Sequence, residues 1–153
     1  MNIPSELSSI FLREHFDNYP FVRFPQEFED DRGVIRNIAD GKLGDVAVIN
    51  SNKGAIRANH IHGIDWHISY MVFGSMEYSW SDNPNGTFQK KVLVKQGKMV
   101  YTPVRVPHKM EFLEDSCIIA VSALSRMQEN YEADTVRLES NFFTLKLKKV
   151  NEL

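Results

Sequence analysis

The sequence predicts an all-β protein, a small jelly-roll β-barrel preceded by one short N-terminal helix, and three observations carry that prediction. Nine short runs from residue 34 onward are apolar or alternate apolar with polar residues, Gly-, Asn-, Asp- and Pro-rich turn signals separate them, and one stretch alone has apolar residues at helical spacing. Many short strands with almost no helix between them close most simply as antiparallel sheets in a sandwich or barrel.

Taken in order, residues 4–17 place Leu7, Ile10, Phe11 and Phe16 roughly on one side, with Pro4 and Ser5 at the start and "DNYP" as the stop. The strand runs are "VIRNIA", "DVAVIN", "AIRANHIH", "WHISYMVF", "SMEYSW", "KKVLVK", "MVYTP", "HKMEFL" and "CIIAVSAL". Between the fifth and sixth, "SDNPNG" is the best hairpin, because Pro84 and Gly86 pre-set its turn. The tail "FFTLKLKKV" alternates as a strand does; joining the barrel, pairing with a second chain and fraying all remain open to it. No repeat, low-complexity tract or linker interrupts the chain. The expected organisation is one domain over 1–153: a helical segment (1–20), a barrel core (30–125) and a C-terminal extension (126–153).

At 153 residues and 42% hydrophobic content, such a domain buries a core without disulfide or metal support. A net charge of -2, spread over mixed rather than blocked charges, argues against nucleic acid or an anionic membrane as partner and leaves a small molecule. The single cysteine, Cys117 in "SCIIAVSAL", reads as a buried strand thiol and suits a reducing compartment. The N-terminus lacks the basic-then-apolar pattern of a secretory signal, and no window approaches the roughly 18 apolar residues of a membrane span. The expected location is the cytoplasm.

The chemistry concentrates in "GAIRANHIHGIDWHISYMVFG", Gly54 to Gly74, which holds three of the five histidines. Strand side chains alternate faces, so His60 and His62 point the same way, at chelate spacing. His67 opens the next run and His108 begins "HKMEFL"; a closed barrel brings such sequence-distant strands together. One histidine on a strand usually just packs, but four of five at barrel-compatible positions form a stronger pattern. Neutral imidazole is a ligand for zinc, iron, nickel, copper and manganese. The same groups suit proton abstraction beside a carbonyl, which needs a base and a positive group at the developing enolate oxygen. His60 or His62 can be that base, while a metal, Arg57 or Lys109 can be the positive group. Tyr70, Tyr78 and Tyr101 are phenols that can return a proton, Tyr101 foremost.

Strict alternation puts Arg57 on the face opposite His60, so it enters the cavity only through a bulge, at the strand's end, or from a partner subunit. Arg105, in the loop leading to His108, can hold a phosphate or carboxylate bidentately or stand as a solvated cation. Met71, Phe73, Met76, Tyr78, Trp80, Met110 and Phe112 are expected to face inward, giving the mostly apolar cavity that a small-molecule site requires.

The Gly54–Gly74 stretch resembles the first cupin motif: glycine, five residues, H-x-H, four residues, glutamate, six residues, glycine, with His67 standing where the glutamate usually is. "GKMVYTPVRVPHKMEF" resembles the second cupin motif through Gly97, Pro103 and His108, with Arg105 at its usual later glycine and Phe112 at its usual final asparagine. With the strands around them, the resemblance spans residues 30–125. It implies a cupin jelly roll in which His60, His62, His67 and His108 surround one divalent metal (zinc, iron, nickel or manganese), an uncharged all-nitrogen set that leaves the metal's identity open.

A narrower resemblance joins "DDRGVIRNI", "NKGAIRANHIH" and "YTPVRVPHKMEFLED". Their layout is similar to that of the dTDP-4-dehydrorhamnose 3,5-epimerases and related 3,4-ketoisomerases. In those epimerases an arginine three residues before the catalytic histidine contacts the nucleotide diphosphate, as Arg57 precedes His60 here, and the histidine removes the proton next to the sugar ketone. Those enzymes generally work without a metal, and the epimerases lack the second histidine of H-x-H. The resemblance implies an epimerase or isomerase of a nucleotide-activated keto-deoxy sugar, with substrate contacts from Arg57, Arg105 and Lys109, and a homodimer. An iron-dependent dioxygenase and a non-catalytic ligand-binding cupin are the alternatives.

Overall fold

The structure is a computed structural model that describes residues 19–83, 88 and 90–138. The expected N-terminal helix, the second half of the "SDNPNG" turn and the "FFTLKLKKV" tail lie outside the described residues.

All nine expected runs are strands, and the chain folds as the all-β jelly roll that they imply. In order the elements are β1 (Glu27–Asp30), β2 (Gly33–Arg36), β3 (Asp45–Ser51), β4 (Ile56–His62), β5 (His67–Phe73), β6 (Ser75–Trp80), β7 (Lys90–Lys95), β8 (Met99–Thr102), β9 (His108–Phe112), β10 (Ser116–Ser122), α1 (Gln128–Asp134) and β11 (Thr135–Arg137). A four-stranded sheet in the order β3-β10-β5-β8 and a five-stranded sheet in the order β11-β4-β9-β6-β7 make the barrel, and every pairing is antiparallel. β1 and β2 form a separate hairpin. The turn at "SDNPNG" joins β6 and β7, which pair from Ser75↔Lys95 to Trp80↔Lys90.

Period-two alternation divides β5, β8 and β10 between two apolar clusters. Met71, Val100, Ile118, Met76, Tyr78, Met110 and Phe112 meet inside the barrel. Their neighbours Ile68, Met99, Tyr101 and Val121 point outward and pack with Trp66 and Val22. Residues 20–22 run beside β8 to cover that outer face: Val22 donates its N–H to the Met99 carbonyl, and Tyr101 donates to the Pro20 carbonyl. Fully burying one such side chain contributes about 1.5–3 kcal/mol relative to leaving it exposed.

Phe73, expected inside, is 47% exposed. It sits at the end of β5, where the pairing with β10 shifts register between Cys117 and Ile118. Gly74 follows at φ +88°, and a Cβ there would lie 2.1 Å from Ser116 Oγ, so this motif position tolerates no side chain. Three elements went unforeseen: β1, α1 and β11. α1 is seven residues without an apolar stripe and β11 is three residues long, both below the length at which periodicity speaks. β11 pairs with β4, so the barrel wall continues past the expected limit of 125. No helix among the described residues is long and apolar enough to cross a membrane.

Candidate active site

The site is built on a break in β4. Ala58 and Asn59 both take left-handed backbone conformations, at φ 61° and 57°, and the register against β9 slips by one residue between Ala58 and His60. One extra residue on one strand of a pair is a β-bulge, and it reverses the alternation across itself. Arg57 therefore pairs with Met110 and His60 with His108, both inward positions of β9, so arginine and histidine share one wall. The bulge is held from the other side: Leu138 donates its N–H to the Asn59 carbonyl. Of the three routes by which Arg57 could reach the cavity, the fold uses the bulge. Its guanidinium is anchored by Nε–H donating to Ser51 Oγ at 2.6 Å and by Nη2 donating to the Asn50 carbonyl at 2.8 Å.

The cavity has a volume of about 270 Å³. His60, His67, His108 and Ser69 line its floor, Ile49, Ile118 and Met110 are among its apolar sides, and Arg57, Arg126, Arg137 and Tyr131 add polar groups. His62 is buried beside the floor, its ring centroid 4.3 Å from that of His60 and 4.5 Å from that of His67. His60 and His108 stand 4.8 Å apart. The fold thus gathers His60, His62, His67 and His108 from three strands.

Three of these four rings have an oxygen behind them. His67 Nε2 is 2.8 Å from Asp65 Oδ2, within hydrogen-bond distance. His108 Nδ1–H donates to the Val106 carbonyl at 2.9 Å. His62 Nδ1 lies 3.4 Å from Asp134 Oδ2, within ion-pair reach but too long for a hydrogen bond. His60 differs: among the described residues neither of its ring nitrogens has a hydrogen-bond partner. Burial, reinforced by mutual repulsion and by Arg137, holds the His60 pKa well below the usual imidazole range. Burial likewise pushes His62 down to about 2 and His108 down to about 3. All three are neutral lone-pair carriers at physiological pH.

Five buried ring nitrogens without partners, on His60, His62 and His108, are an unusual concentration, since buried polar atoms are normally satisfied. Ligand atoms of His60, His62 and His108 lie within 4.8 Å of one another, as do those of His62, Asp65 and His67. This donor set fits a divalent ion: neutral imidazoles facing inward, each but one oriented from behind, is how proteins present metal ligands.

Three expected site residues are elsewhere. Tyr101 is completely buried in the outer cluster, its ring 6.4 Å from Trp66, because β8 turns Val100 and Thr102 inward. Lys109 alternates with the inward His108 and Met110, so it faces outward, with Nζ 3.4 Å from Glu111. Arg105 is exposed and does not line the cavity; its backbone N–H donates to the His62 carbonyl at 2.7 Å. It holds φ 60° where the motif usually has glycine, so the turn survives the substitution. Of the other phenols, Tyr70 packs outward and Tyr78 commits its hydroxyl to Thr102 Oγ1 at 2.8 Å.

Tyr131 stands where Tyr101 was expected, its ring 6.1 Å from His60 and 5.5 Å from His62. Burial raises its pKa, which keeps the phenol protonated. Tyr131, Arg126, Arg137 and the carboxylates of Asp65 and Asp134 were all missed by sequence reasoning. Of these, Asp65 alone carried a signal, as an acid two residues before a motif histidine.

No family model and no curated protein matches the sequence. Solved structures do match. A 3'-monoepimerase from Streptomyces bikiniensis, ChmJ, crystallised with dTDP as a His-to-Asn, Tyr-to-Phe double mutant, superimposes with TM-score 0.62 at 15% identity over 80% of this chain and 70% of its own. The TDP-fucose-3,4-ketoisomerase WlaRA from Campylobacter jejuni gives 0.61 at 15% identity over 78% and 88%. A dTDP-4-dehydrorhamnose 3,5-epimerase from Sulfolobus tokodaii gives 0.59 at 17% identity over 84% and 88%. The chain shares the jelly-roll fold of these structures. Within this barrel, the bulge, the histidine floor and Tyr131 are the features that bear on chemistry.

Proposed function

We propose that this cupin is an isomerase of a nucleotide-activated 4-keto-6-deoxy sugar, an epimerase or ketoisomerase, in which His60 moves the carbon-bound proton next to the ketone. The observation that carries the reading is the placement of His60: a buried neutral imidazole on the cavity floor, with no partner on either nitrogen, beside the Tyr131 phenol and three residues from Arg57. Its lone pair is available as a base. An entering diphosphate sugar brings negative charge that raises the depressed His60 pKa toward the operating range. Arg57, preorganised by Ser51 and Asn50, offers a guanidinium to the diphosphate or to the developing enolate oxygen. Tyr131, held protonated, returns a proton, taking the role first expected of Tyr101. The similar structures support this reading: they are those of epimerases and ketoisomerases, several with dTDP or a dTDP sugar bound.

The histidine cluster favours one addition. His60, His62 and His108 would hold a zinc, iron, nickel or manganese ion, which would polarise the substrate carbonyl as a Lewis acid. Neutral imidazole has one lone pair, so His60 serves either as ligand or as base, not both at once.

The test is solvent exchange. Incubated with dTDP-4-keto-6-deoxyglucose in D₂O, the protein should place deuterium at the carbon beside the ketone, and His60→Asn should abolish this. Oxygen uptake with bound iron would instead identify a dioxygenase. Ligand-induced thermal stabilisation without exchange would identify a binding protein. Either outcome sinks the isomerase reading.

A further inference from the structure

We infer that Arg126 is a catalytic residue of the proposed isomerisation, stabilising the enolate oxygen beside Tyr131, and that Arg57 is left to hold the diphosphate. The inference rests on the isomerase reading above and divides its two cationic tasks between two arginines.

Among the described residues that line the cavity, three are arginines and none is an aspartate or glutamate, so the lining attracts anionic groups. The arginines do not converge on one point. Arg57 is bonded to Asn50 and Ser51, at the end of β3. Arg126 Nε lies 3.5 Å from Asp45 Oδ2, at the start of the same strand. From Asp45 to Asn50 the strand covers about 17 Å, at roughly 3.3 Å per residue. A diphosphate, two phosphorus tetrahedra sharing one oxygen, spans a fraction of that length and cannot occupy both places.

The proposed reaction also needs positive charge at two places, the diphosphate and the ketone oxygen. Three observations put the ketone at the Arg126 end. The charge of Arg126 acts on the Tyr131 phenol and on His62, whose rings are 5.5 Å apart. Its side chain is 22% exposed against 60% for Arg137, and Arg57 is exposed as well; oxyanion stabilisation gains most where water is excluded. Finally, Arg126 Nε is buried without a hydrogen-bond partner among the described residues, Asp45 being too distant for one. Arg57 differs on each count. Two of its nitrogens are already bonded and it stands in the open, as suits a group that holds the diphosphate while the nucleoside stays outside a cavity of about 270 Å³. Arg137 pairs with His60 across the β11–β4 ladder but ties its guanidinium to Glu132 at the rim.

The proton transfers then balance. His60 takes the carbon-bound proton, the C–H pair becomes the enolate double bond, and the carbonyl π pair moves to the oxygen facing Arg126. Tyr131 protonates the carbon as the carbonyl re-forms, and solvent removes the proton from His60 and restores that of Tyr131.

Arg126→Gln and Arg57→Gln separate the two tasks. Deuterium exchange into dTDP-4-keto-6-deoxyglucose reads the enolate, and calorimetric affinity for dTDP, which has no ketone, reads the diphosphate site. Arg126→Gln should slow exchange by about 10²–10³-fold, the scale of one oxyanion donor, with dTDP affinity within about twofold of wild type. Arg57→Gln should weaken dTDP by about 10–100-fold, the scale of a lost charged hydrogen bond. Exchange by Arg126→Gln within about threefold of wild type overturns the role of Arg126 and leaves the isomerase reading standing. A fall in dTDP affinity as large in Arg126→Gln as in Arg57→Gln overturns it too, by placing both arginines on the diphosphate. Unchanged dTDP affinity in Arg57→Gln overturns the division of tasks. A wild type that binds dTDP yet exchanges nothing overturns the isomerase reading and this role together. Should Arg126→Gln not fold, Arg126→Lys decides, since an ammonium keeps the charge but not the planar fork of donors. Its exchange should slow with dTDP affinity unchanged, and an unchanged rate overturns the inference.

Discussion

The two ends of the barrel interior obey the same alternation and have opposite chemistry. At the closed end Met76, Phe112, Met71 and Val94 are completely buried among other apolar groups. At the cavity end His60, His67 and His108 take inward strand positions, with three arginines and a phenol around them. Two of the strands that carry the floor also contribute to the closed end, β5 through His67 and Met71, β9 through His108 and Phe112. The difference teaches that the pleat decides only which side a residue faces. What the interior does is decided by where along each strand polar groups replace apolar ones.

Substitutions at the two ends should therefore fail in different ways. His60→Asn should lower turnover of a 4-keto-6-deoxy sugar nucleotide by about 10²–10⁴-fold, the usual contribution of a general base, with little change in melting temperature. Phe112→Ala should do the reverse, removing about 3–5 kcal/mol of stability in urea unfolding while the enzyme that remains folded keeps its turnover. Equal damage by both variants to both properties would erase the distinction.

Two tyrosines on different faces sharpen it further. Tyr131→Phe should reduce kcat by about 10²-fold, on the scale of a lost proton donor, and leave folding intact. Tyr101→Phe, in the outer cluster, should leave kcat within about twofold, because an outward group cannot reach the substrate. A catalytic loss at Tyr101 would return that residue to the mechanism.

Acid should strike the cavity end first. His60, His62 and His108 have folded pKa values below the 6.5 of an unfolded histidine, so below pH 6.5 the unfolded chain binds more protons than the folded one. Stability is then present above pH 6.5 and falls as pH drops from there toward about 3. Each histidine contributes a slope of up to about 1.4 kcal/mol per pH unit. Urea unfolding of metal-free protein at pH 7.5, 6.0 and 5.0 should show the decline, and His62→Gln should make it shallower.

The smallest expected effect concerns assembly. Among the described residues β3 is an edge of the four-stranded sheet, with Val46 and Val48 at 58% and 68% exposure. An apolar edge of this kind is suited to pairing with a second copy. Light scattering should find a dimer, and Val48→Lys should shift it toward monomer without altering turnover.

Much of this was legible in the sequence because it depends on period two. The nine strand runs, the inward set apart from Phe73, and the meeting of four histidines all follow from alternation within a closed barrel. What alternation cannot see is a place where it stops. Arg57 reaches the cavity because two non-glycine residues adopt positive φ, and nothing in "RANH" announces that. Tyr101 failed as a candidate for a simpler reason: sequence proximity to a motif says nothing about which face of β8 it occupies. Tyr131, Arg137 and Asp134 come from elements too short to show a period, and they matter through contacts with β4 and the turn after it.

The extra residue in β4 also divides that strand into two compartments that can change independently. Upstream of Asn59 lies the half that meets whatever the arginine wall grips; downstream lies the half that carries the imidazoles. Removing a single residue at the junction would turn Arg57 to the outside, while His60 and His62 kept their facing. A lineage could in this way exchange its anionic guests for apolar ones and retain the same reactive floor.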